Sequence, residues 1–422
     1  MKSILKKTFF ILLSDAFIRI FGFLAYIYIA RVSEQYIFGV IAFGLAVLNY
    51  SSIFASLGLN TLGTKFIAQN TYSDKYLLNK IAKIKLVLSL IVFSIIILIP
   101  FLFQNFNDTF LSAIIFSLAL IPISFQAEWF LQGKFETTKI NIGQLINAIL
   151  YPVIIFTFYN NQNNWIIIPI AFLIGNIFQA IYLMYISSKS VENLSTNIIS
   201  VKELLKQCLP LSIVSILIQV LINLPPILIG IFVTVTEVGF YSAALKLILF
   251  TLVIDRILNL ILFPFLSKLA TNMIKLKLFL DIFLKWIFVF LILFGLILFF
   301  LSDYLILFAY GSQFANSILY FKIFLVFLVS TIINSIISFT YISLNQLKKY
   351  SKVYILMTPV ILVSYLITVY KFGGIGLAAA FSFGELIIAT VLFYNLSKFI
   401  QINFKIINFK DFKVMSDIVK SI

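Results

Sequence analysis

Long apolar runs separated by short polar connections set the pattern of this chain. A helix that crosses a membrane needs about 20 mainly apolar residues to cover roughly 30 Å of hydrocarbon. By that measure the sequence predicts twelve such helices, near residues 9–30, 37–58, 83–103, 110–131, 141–159, 164–186, 208–232, 238–263, 283–301, 316–341, 353–370 and 375–396. Between the third and fourth, where apolar positions run from Leu98 to Trp129, the break rests on Gln104-Asn105-Phe106-Asn107-Asp108. The expected class is an all-α integral membrane protein.

The connections alternate in charge. Three lysines precede the first span (Lys2, Lys6, Lys7), five fall in Lys65–Lys85, and two are Lys134 and Lys139. Three follow in Lys189–Lys206, four in Lys268–Lys285, three in Lys348–Lys352 and five in Lys398–Lys420. The intervening connections hold only Arg31 and Lys371. A basic excess on every second connection is the positive-inside pattern. It predicts both termini in the cytoplasm and supports the break near Asn105, because losing a span there would invert every later connection. The opposite connections, roughly 4–14 residues each, leave no room for an outer catalytic domain. Although Lys2–Lys7 precede an apolar stretch, Asp15 and Arg19 interrupt it and no small-x-small cleavage pattern follows, so a retained first helix is expected.

Composition agrees and removes other classes. The chain is 62% hydrophobic and 11% charged, against about 45–50% and 25% for soluble domains. Its 31 basic and 15 acidic side chains could not cover the apolar surface of soluble globules. Disordered, collagenous and nucleic-acid-binding readings fall with the soluble one. The net charge of +16 is mostly topological, since 25 of the 31 basic residues lie in the seven cytoplasmic segments. No histidine is present, which excludes a histidine metal site, triad or proton relay. The single cysteine, Cys208, forms no intramolecular disulfide and reads as a small buried residue. No metal or cofactor is expected.

The spans divide six and six at the longest polar connection. Glu34 ahead of Gly39 matches Glu237 ahead of Gly239, and Thr64-Lys65-Phe66-Ile67-Ala68 matches Ser267-Lys268-Leu269-Ala270. Both halves start from the cytoplasm, as parallel repeats do. The expected organisation is a six-helix lobe over 1–190, a cytoplasmic linker over 191–206, a second six-helix lobe over 207–397 and a basic tail over 398–422, with the lobes around a central cavity.

Charges inside spans cost several kcal/mol and need partners or a wet cavity. Eight are expected there. Asp15 and Arg19, four apart, share a helical face with Gly22 and Tyr26: either a local ion pair, or a cavity stripe in which Arg19 meets an anion. Ser242, Lys246 and Arg256 share a face of the eighth span, with Lys246 near mid-membrane and Arg256 close enough to the interface to snorkel. Lys322 lies about two turns into the tenth span from outside, where it either snorkels or joins Arg19, Lys246 and Arg256 as a candidate cavity cation for the diphosphate. Asp255 points elsewhere, Glu128 sits near a cytoplasmic end where interface water suffices, and Glu385 is halfway along the last span without a local cation. Glu385 is either paired across helices or a titratable coupling group, and Asp15 and Asp255 are further coupling candidates. Four of the eight charges are basic, which favours a phosphate or carboxylate cargo. Asn141, Gln144, Asn147 and Tyr151 make a polar stripe on the fifth span, for interhelical bonding or, through Gln144 and Asn147, for sugar hydroxyls. Pro225-Pro226 interrupts the seventh span and is the candidate hinge.

Several stretches taken in order resemble bacterial polysaccharide flippases of the Wzx type, in the multidrug/oligosaccharidyl-lipid/polysaccharide exporter superfamily. They are Asp15–Arg31 with Phe38-Gly39, Leu57-Gly58-Leu59-Asn60 leading to Lys65-Phe66-Ile67-Ala68, and Glu128-Trp129-Phe130-Leu131-Gln132-Gly133. The second half adds Val238-Gly239-Phe240-Tyr241-Ser242-Ala243-Ala244 with Lys246, Pro264-Phe265-Leu266-Ser267-Lys268, Tyr310-Gly311-Ser312-Gln313-Phe314 and Gly374-Ile375-Gly376-Leu377-Ala378-Ala379. The resemblance implies an inward-to-outward cycle in the bacterial inner membrane and a cargo of undecaprenyl-diphosphate-linked oligosaccharide for O-antigen or capsule. It implies cavity cations at Arg19, Lys246 and Arg256, possible coupling to a proton or sodium gradient, and polymerase or chain-length proteins as partners. Pro225-Pro226 departs from the polar or acidic residue commoner there. A drug exporter shares the fold but fits the basic cavity less well. A peptidoglycan-precursor flippase usually has two further helices, and a major-facilitator transporter a Gly- and Arg-rich loop that Gly58–Asn70 lacks. A membrane polymerase or glycosyltransferase would show a large outer loop or an Asp-x-Asp motif, and neither occurs.

Overall fold

The computed structural model describes residues 2–103, 107–192 and 197–401, with side chains except at 2–12, 101–103, 209–211, 256, 257 and 259–261. Among the described residues the regular structure is helical. Helices α1 (Lys2–Val32), α2 (Gln35–Ser56), α3 (Leu59–Ala68), α4 (Asp74–Phe103), α5 (Asp108–Ser117), α6 (Leu120–Phe125) and α7 (Glu128–Gly133) come first. Then follow α8 (Thr137–Phe158), α9 (Ile167–Lys189), α10 (Val201–Phe232), α11 (Val235–Thr251) and α12 (Val253–Leu269). The chain ends on α13 (Met273–Tyr310), α14 (Ser317–Ser343) and α15 (Leu347–Ile400).

Eleven stretches among the described residues are long and apolar enough to cross a membrane. The protein is a multi-pass membrane protein. The difference from twelve lies in α15, whose 54 residues would extend about 80 Å at 1.5 Å per residue, more than two bilayer cores. Gly373, at φ 63° and ψ −149°, breaks helical geometry inside it. That break falls between the predicted spans 353–370 and 375–396, so α15 carries both. Of the predicted break at 104–108, residues 104–106 lie outside the described ones. Beyond them α5 restarts at Asp108, with the Asn107 side chain accepting from the Phe110 N–H at 3.2 Å, a normal N-cap.

Helix α4 shows how burial is arranged. Val87, Ile91, Ile95 and Leu98 form an apolar stripe, each more than half exposed, whereas Lys85 and Ser89 are 3% and 1% exposed. Apolar outside and polar inside is the reverse of a soluble helix, and it puts the stripe in lipid.

Two compact units emerge, Met1–Ser242 and Ala243–Ile422. This contact boundary lies beyond the one expected from the repeat, between 190 and 207, because α10 and about two turns of α11 fall in the first unit. Helix α10 packs on α2 and α3. The expected linker is also tied down: the Ser73 N–H donates to the Asn197 carbonyl at 3.0 Å, the Tyr76 hydroxyl to the Ile199 carbonyl at 2.7 Å, and the Glu192 N–H to Asp74 at 3.0 Å. Of the tail over 398–422, residues 402–422 lie outside the described ones.

The two glycines matched in the sequence, Gly39 and Gly239, meet. A Cβ on Gly39 would lie 1.9 Å from the Val235 carbonyl oxygen, and one on Gly239 2.6 Å from the Gln35 carbonyl oxygen. Residues 35 and 39 thus meet 235 and 239 reciprocally, so the first turns of α2 and α11 touch backbone to backbone. Only glycine permits that approach.

Candidate functional site

Among the described residues, several charged and amide side chains inside the spans form bonded clusters, and others line an open cavity. In the first unit, Arg19 Nε donates to Asp15 Oδ2 at 3.2 Å within α1, which realises the local ion pair. A larger cluster surrounds Glu128 at the start of α7. Its Oε1 accepts from Gln144 Nε2 on α8 at 3.2 Å and from Gln179 Nε2 on α9 at 2.9 Å. Asn147 Nδ2 donates to Gln179 Oε1 at 3.0 Å. Nearby, Gln126 Nε2 donates to Asn176 Oδ1 at 3.0 Å. The Lys85 ammonium donates to the carbonyls of Ile123 and Gln126 at 3.3 and 3.5 Å, and its charge acts on Glu128.

Two expectations change here. Glu128 accepts from amides of two other helices, where interface solvation alone was expected. Lys85, counted above among the cytoplasmic lysines, is buried within α4. Gln144 and Asn147 each donate across helices, to Glu128 and Gln179, as the interhelical reading of the stripe expects.

The second unit holds the other carboxylates. Asn334 Nδ2 on α14 donates to Glu385 Oε1 on α15 at 2.6 Å and lies 2.9 Å from the Tyr354 hydroxyl. Glu385 is therefore bonded across helices, to a neutral amide. Asp255 Oδ2 accepts from Ser335 Oγ at 3.1 Å. Lys322 pairs with Asp303 at 3.1 Å, where the Asp303 side chain is 63% exposed, and lies 5.2 Å from the centre of the Phe299 ring. Its ammonium is engaged by that carboxylate. Lys246 is half-buried on α11. The Arg256 side chain lies outside the described ones. The predicted interruption at Pro225-Pro226 is absent: α10 runs through both, and both are buried. A proline's fixed φ suits a helix even though its missing N–H removes a bond.

The open cavity, of about 430 Å³, lies among α2, α3 and α10. Asn49, Ser52, Asn60, Ser215, Gln219 and Asn223 face it, and none of its lining residues is charged. Sequence reasoning passed over it. The available signal was the spacing of Ser212, Ser215, Gln219 and Asn223, which puts them along one helical face.

The helical bundle and its buried polar groups can be set beside solved structures, several of which share the fold. At 16% identity, an inward-facing multidrug resistance MATE family transporter of the MOP superfamily superposes with a TM-score of 0.69, covering 90% of this chain and 94% of its own. The lipid II flippase MurJ in its inward closed conformation gives 0.69 at 18% identity, covering 97% and 90%. A MOP superfamily transporter from Pyrococcus furiosus, described as having a binding pocket of reverse polarity, gives 0.61 at 16% identity, covering 95% and 96%. At these identities the likeness shows the fold alone: a MOP-type transporter fold. No curated protein matches the chain by sequence. The sequence profile of the polysaccharide biosynthesis protein family matches residues 4–270, and the chain belongs to that family.

Proposed function

We propose that this protein is a Wzx-type flippase. It moves an undecaprenyl-diphosphate-linked oligosaccharide from the cytoplasmic to the outer leaflet of a bacterial inner membrane, by alternating access, for O-antigen or capsule assembly. It makes and breaks no covalent bond. The observation that carries this reading is Lys246, a lysine on the spanning stretch Val235–Asp255 and within the segment matched by the polysaccharide biosynthesis family. A diphosphate cannot enter hydrocarbon unaided, and basic side chains offset its desolvation. Arg19 is a second candidate cation: its side chain is one-third exposed beside Asp15, and it would exchange that carboxylate for phosphate. The lipid tail stays in the bilayer throughout. Both termini face the cytoplasm, and the outer-leaflet product passes to polymerase and chain-length proteins. Glu385 is the candidate coupling group for a proton or sodium gradient, since a carboxylate bonded to a neutral amide on the neighbouring helix can exchange a proton or cation without breaking an ion pair.

Complementation of a flippase-deficient strain tests this. The wild-type chain restores surface glycan, and Arg19→Ala with Lys246→Ala removes it at equal membrane abundance. Full export by the double variant overturns the role of the two cations. Export that persists after proton and sodium gradients are collapsed removes Glu385 from the coupling step.

A further inference from the structure

We infer that the uncharged cavity among α2, α3 and α10 is a sugar-binding site, which holds the glycan part of the cargo apart from its diphosphate. This rests on the flippase reading above and adds to it a site and a ligand chemistry.

The cavity walls come from two stretches that span the membrane, Gln35–Ser56 and Ser212–Phe232. On them Asn49, Ser215 and Gln219 are exposed. Lipid offers such groups no hydrogen bonds, so this face is turned toward water or a polar ligand. The size, about 430 Å³, lies within the roughly 300–1,000 Å³ of small-molecule sites. A diphosphate would find no cation among the lining residues, and a cationic drug no carboxylate. An apolar molecule would strand the amides. Amide and hydroxyl side chains both donate and accept, as sugar hydroxyls do.

The wall is also built. The α2–α3 turn closes onto α10 at Gly58, which has φ +78° and leaves no space for a side chain: a Cβ there would lie 2.2 Å from the Ser212 Cβ. Behind that turn, Ser212 Oγ donates to the Cys208 carbonyl at 2.7 Å. Farther along α10, Asn223 Nδ2 donates to Gln219 Oε1 at 3.0 Å. That bond fixes two adjacent amides and spends one amino group and one carbonyl. Gln219 Nε2 and Asn223 Oδ1 have no bond among the described residues, which leaves a donor and an acceptor side by side for neighbouring hydroxyls.

A cysteine-protection experiment tests the site. In a Cys208→Ser background, Ser215→Cys is labelled with a membrane-impermeant methanethiosulfonate in right-side-out and inverted vesicles. Three conditions are compared: no addition, undecaprenyl diphosphate, and the lipid-linked glycan extracted from the producing strain. The expected result is labelling that the glycan lipid slows at least fivefold and the sugar-free lipid less than twofold. Equal protection by both lipids, no protection by the glycan lipid, or a cysteine that never labels overturns the assignment.

In parallel, Gln219→Leu with Asn223→Leu is expected to lower surface glycan at least tenfold at wild-type membrane abundance. Size exclusion in detergent identifies a variant that has merely misfolded, in which case the protection result decides. A wild-type chain that restores no glycan in any flippase-deficient host counts against the flippase reading. A wild-type chain that restores it, with the double variant unimpaired and no protection, counts against the cavity alone.

Discussion

Two polar regions of the first unit look alike in sequence and differ in what surrounds them. On α8, Asn141, Gln144 and Asn147 lie along one face, and on α10 so do Ser212, Ser215, Gln219 and Asn223. The α8 stripe is closed. Asn141 donates to Ser14 at 2.8 Å, Gln144 to Glu128 and Asn147 to Gln179. The α10 stripe opens on space across from Asn49, Ser52 and Asn60. Periodicity tells which residues share a face. It does not tell what that face meets, because the partner comes from elsewhere in the chain: Gln179 lies 51 residues from Glu128. A polar stripe that meets polar partners is structure, and one that meets a cavity is available for binding.

The largest effect should come from the closed region. Lys85→Met leaves the carbonyls of Ile123 and Gln126 without their donor and Glu128 without its nearby cation. Leaving a buried acceptor without its donor costs about 1–3 kcal/mol for each carbonyl, and Glu128 loses a nearby charge besides. The measurement is thermal stability in detergent, followed by fluorescence-detected size exclusion. Lys85→Met with Glu128→Gln should recover much of the loss, since a neutral amide tolerates the apolar neighbour. If the double variant is no better than the single one, Lys85 and Glu128 are not coupled and the cluster is two separate features.

The open region should break most readily at its wall. Gly58→Ala places a Cβ against Ser212 and forces a left-handed backbone on a residue that disfavours it. The two penalties together amount to about 2–4 kcal/mol. Export should fall with stability, and Ser212→Gly should relieve part of both. An unchanged melting temperature in Gly58→Ala would show that the α2–α3 turn has room to move.

The sharpest contrast is between matched amides. Gln144→Leu removes a hydrogen bond to a carboxylate, at about 1–2 kcal/mol, whereas Gln219→Leu at an exposed position changes stability by less than about 0.5 kcal/mol. Export should respond the other way round, falling further for Gln219→Leu. Equal stability losses would make both stripes structural and erase the distinction.

How much of this was legible beforehand follows from the same contrast. Span positions were readable because lipid imposes a length and an apolar content that local sequence must meet. Even the break inside α15 falls where Gly373-Gly374 separates two predicted spans. Pairing was not readable. Glu385 carries no mark of Asn334, 51 residues away, and Lys322 none of Asp303. Lys85 was misplaced because a lysine near the end of a charged segment looks the same whether it faces water or two backbone carbonyls. Pro225-Pro226 misled in the other direction, since proline geometry fits a helix once the freed carbonyls are accommodated.

A third cluster, at the end of a span around Glu136, supplies the solvated baseline, and the smallest effect belongs to it. Lys139 Nζ sits 2.6 Å from Glu136 Oε1, and Ser190 Oγ donates to Glu136 Oε2 at 2.8 Å. Burial alone would raise the Glu136 carboxyl, but hydrogen bonds from Lys139 and Ser190, with the charges of Lys139 and Lys134, outweigh it and hold the group below the usual carboxylate range. A depressed value means stability that is present above the unfolded value of about 4.3 and lost as pH falls through the folded one. Both side chains are partly exposed, so the contribution is that of a surface pair, about 0.2–1 kcal/mol. Glu136→Gln should therefore lower the melting temperature by a degree or two at pH 7, on the order of what such a pair gives a protein of this size. The gap from wild type should close as pH falls below about 4.3, where the wild-type carboxyl is itself becoming neutral. It should also shrink with added salt, which screens exposed charges and spares buried ones. If Gln144→Leu loses its effect with salt in the same way, the closed cluster around Glu128 is as wet as this one, and the distinction between the two regions fails at its stronger end.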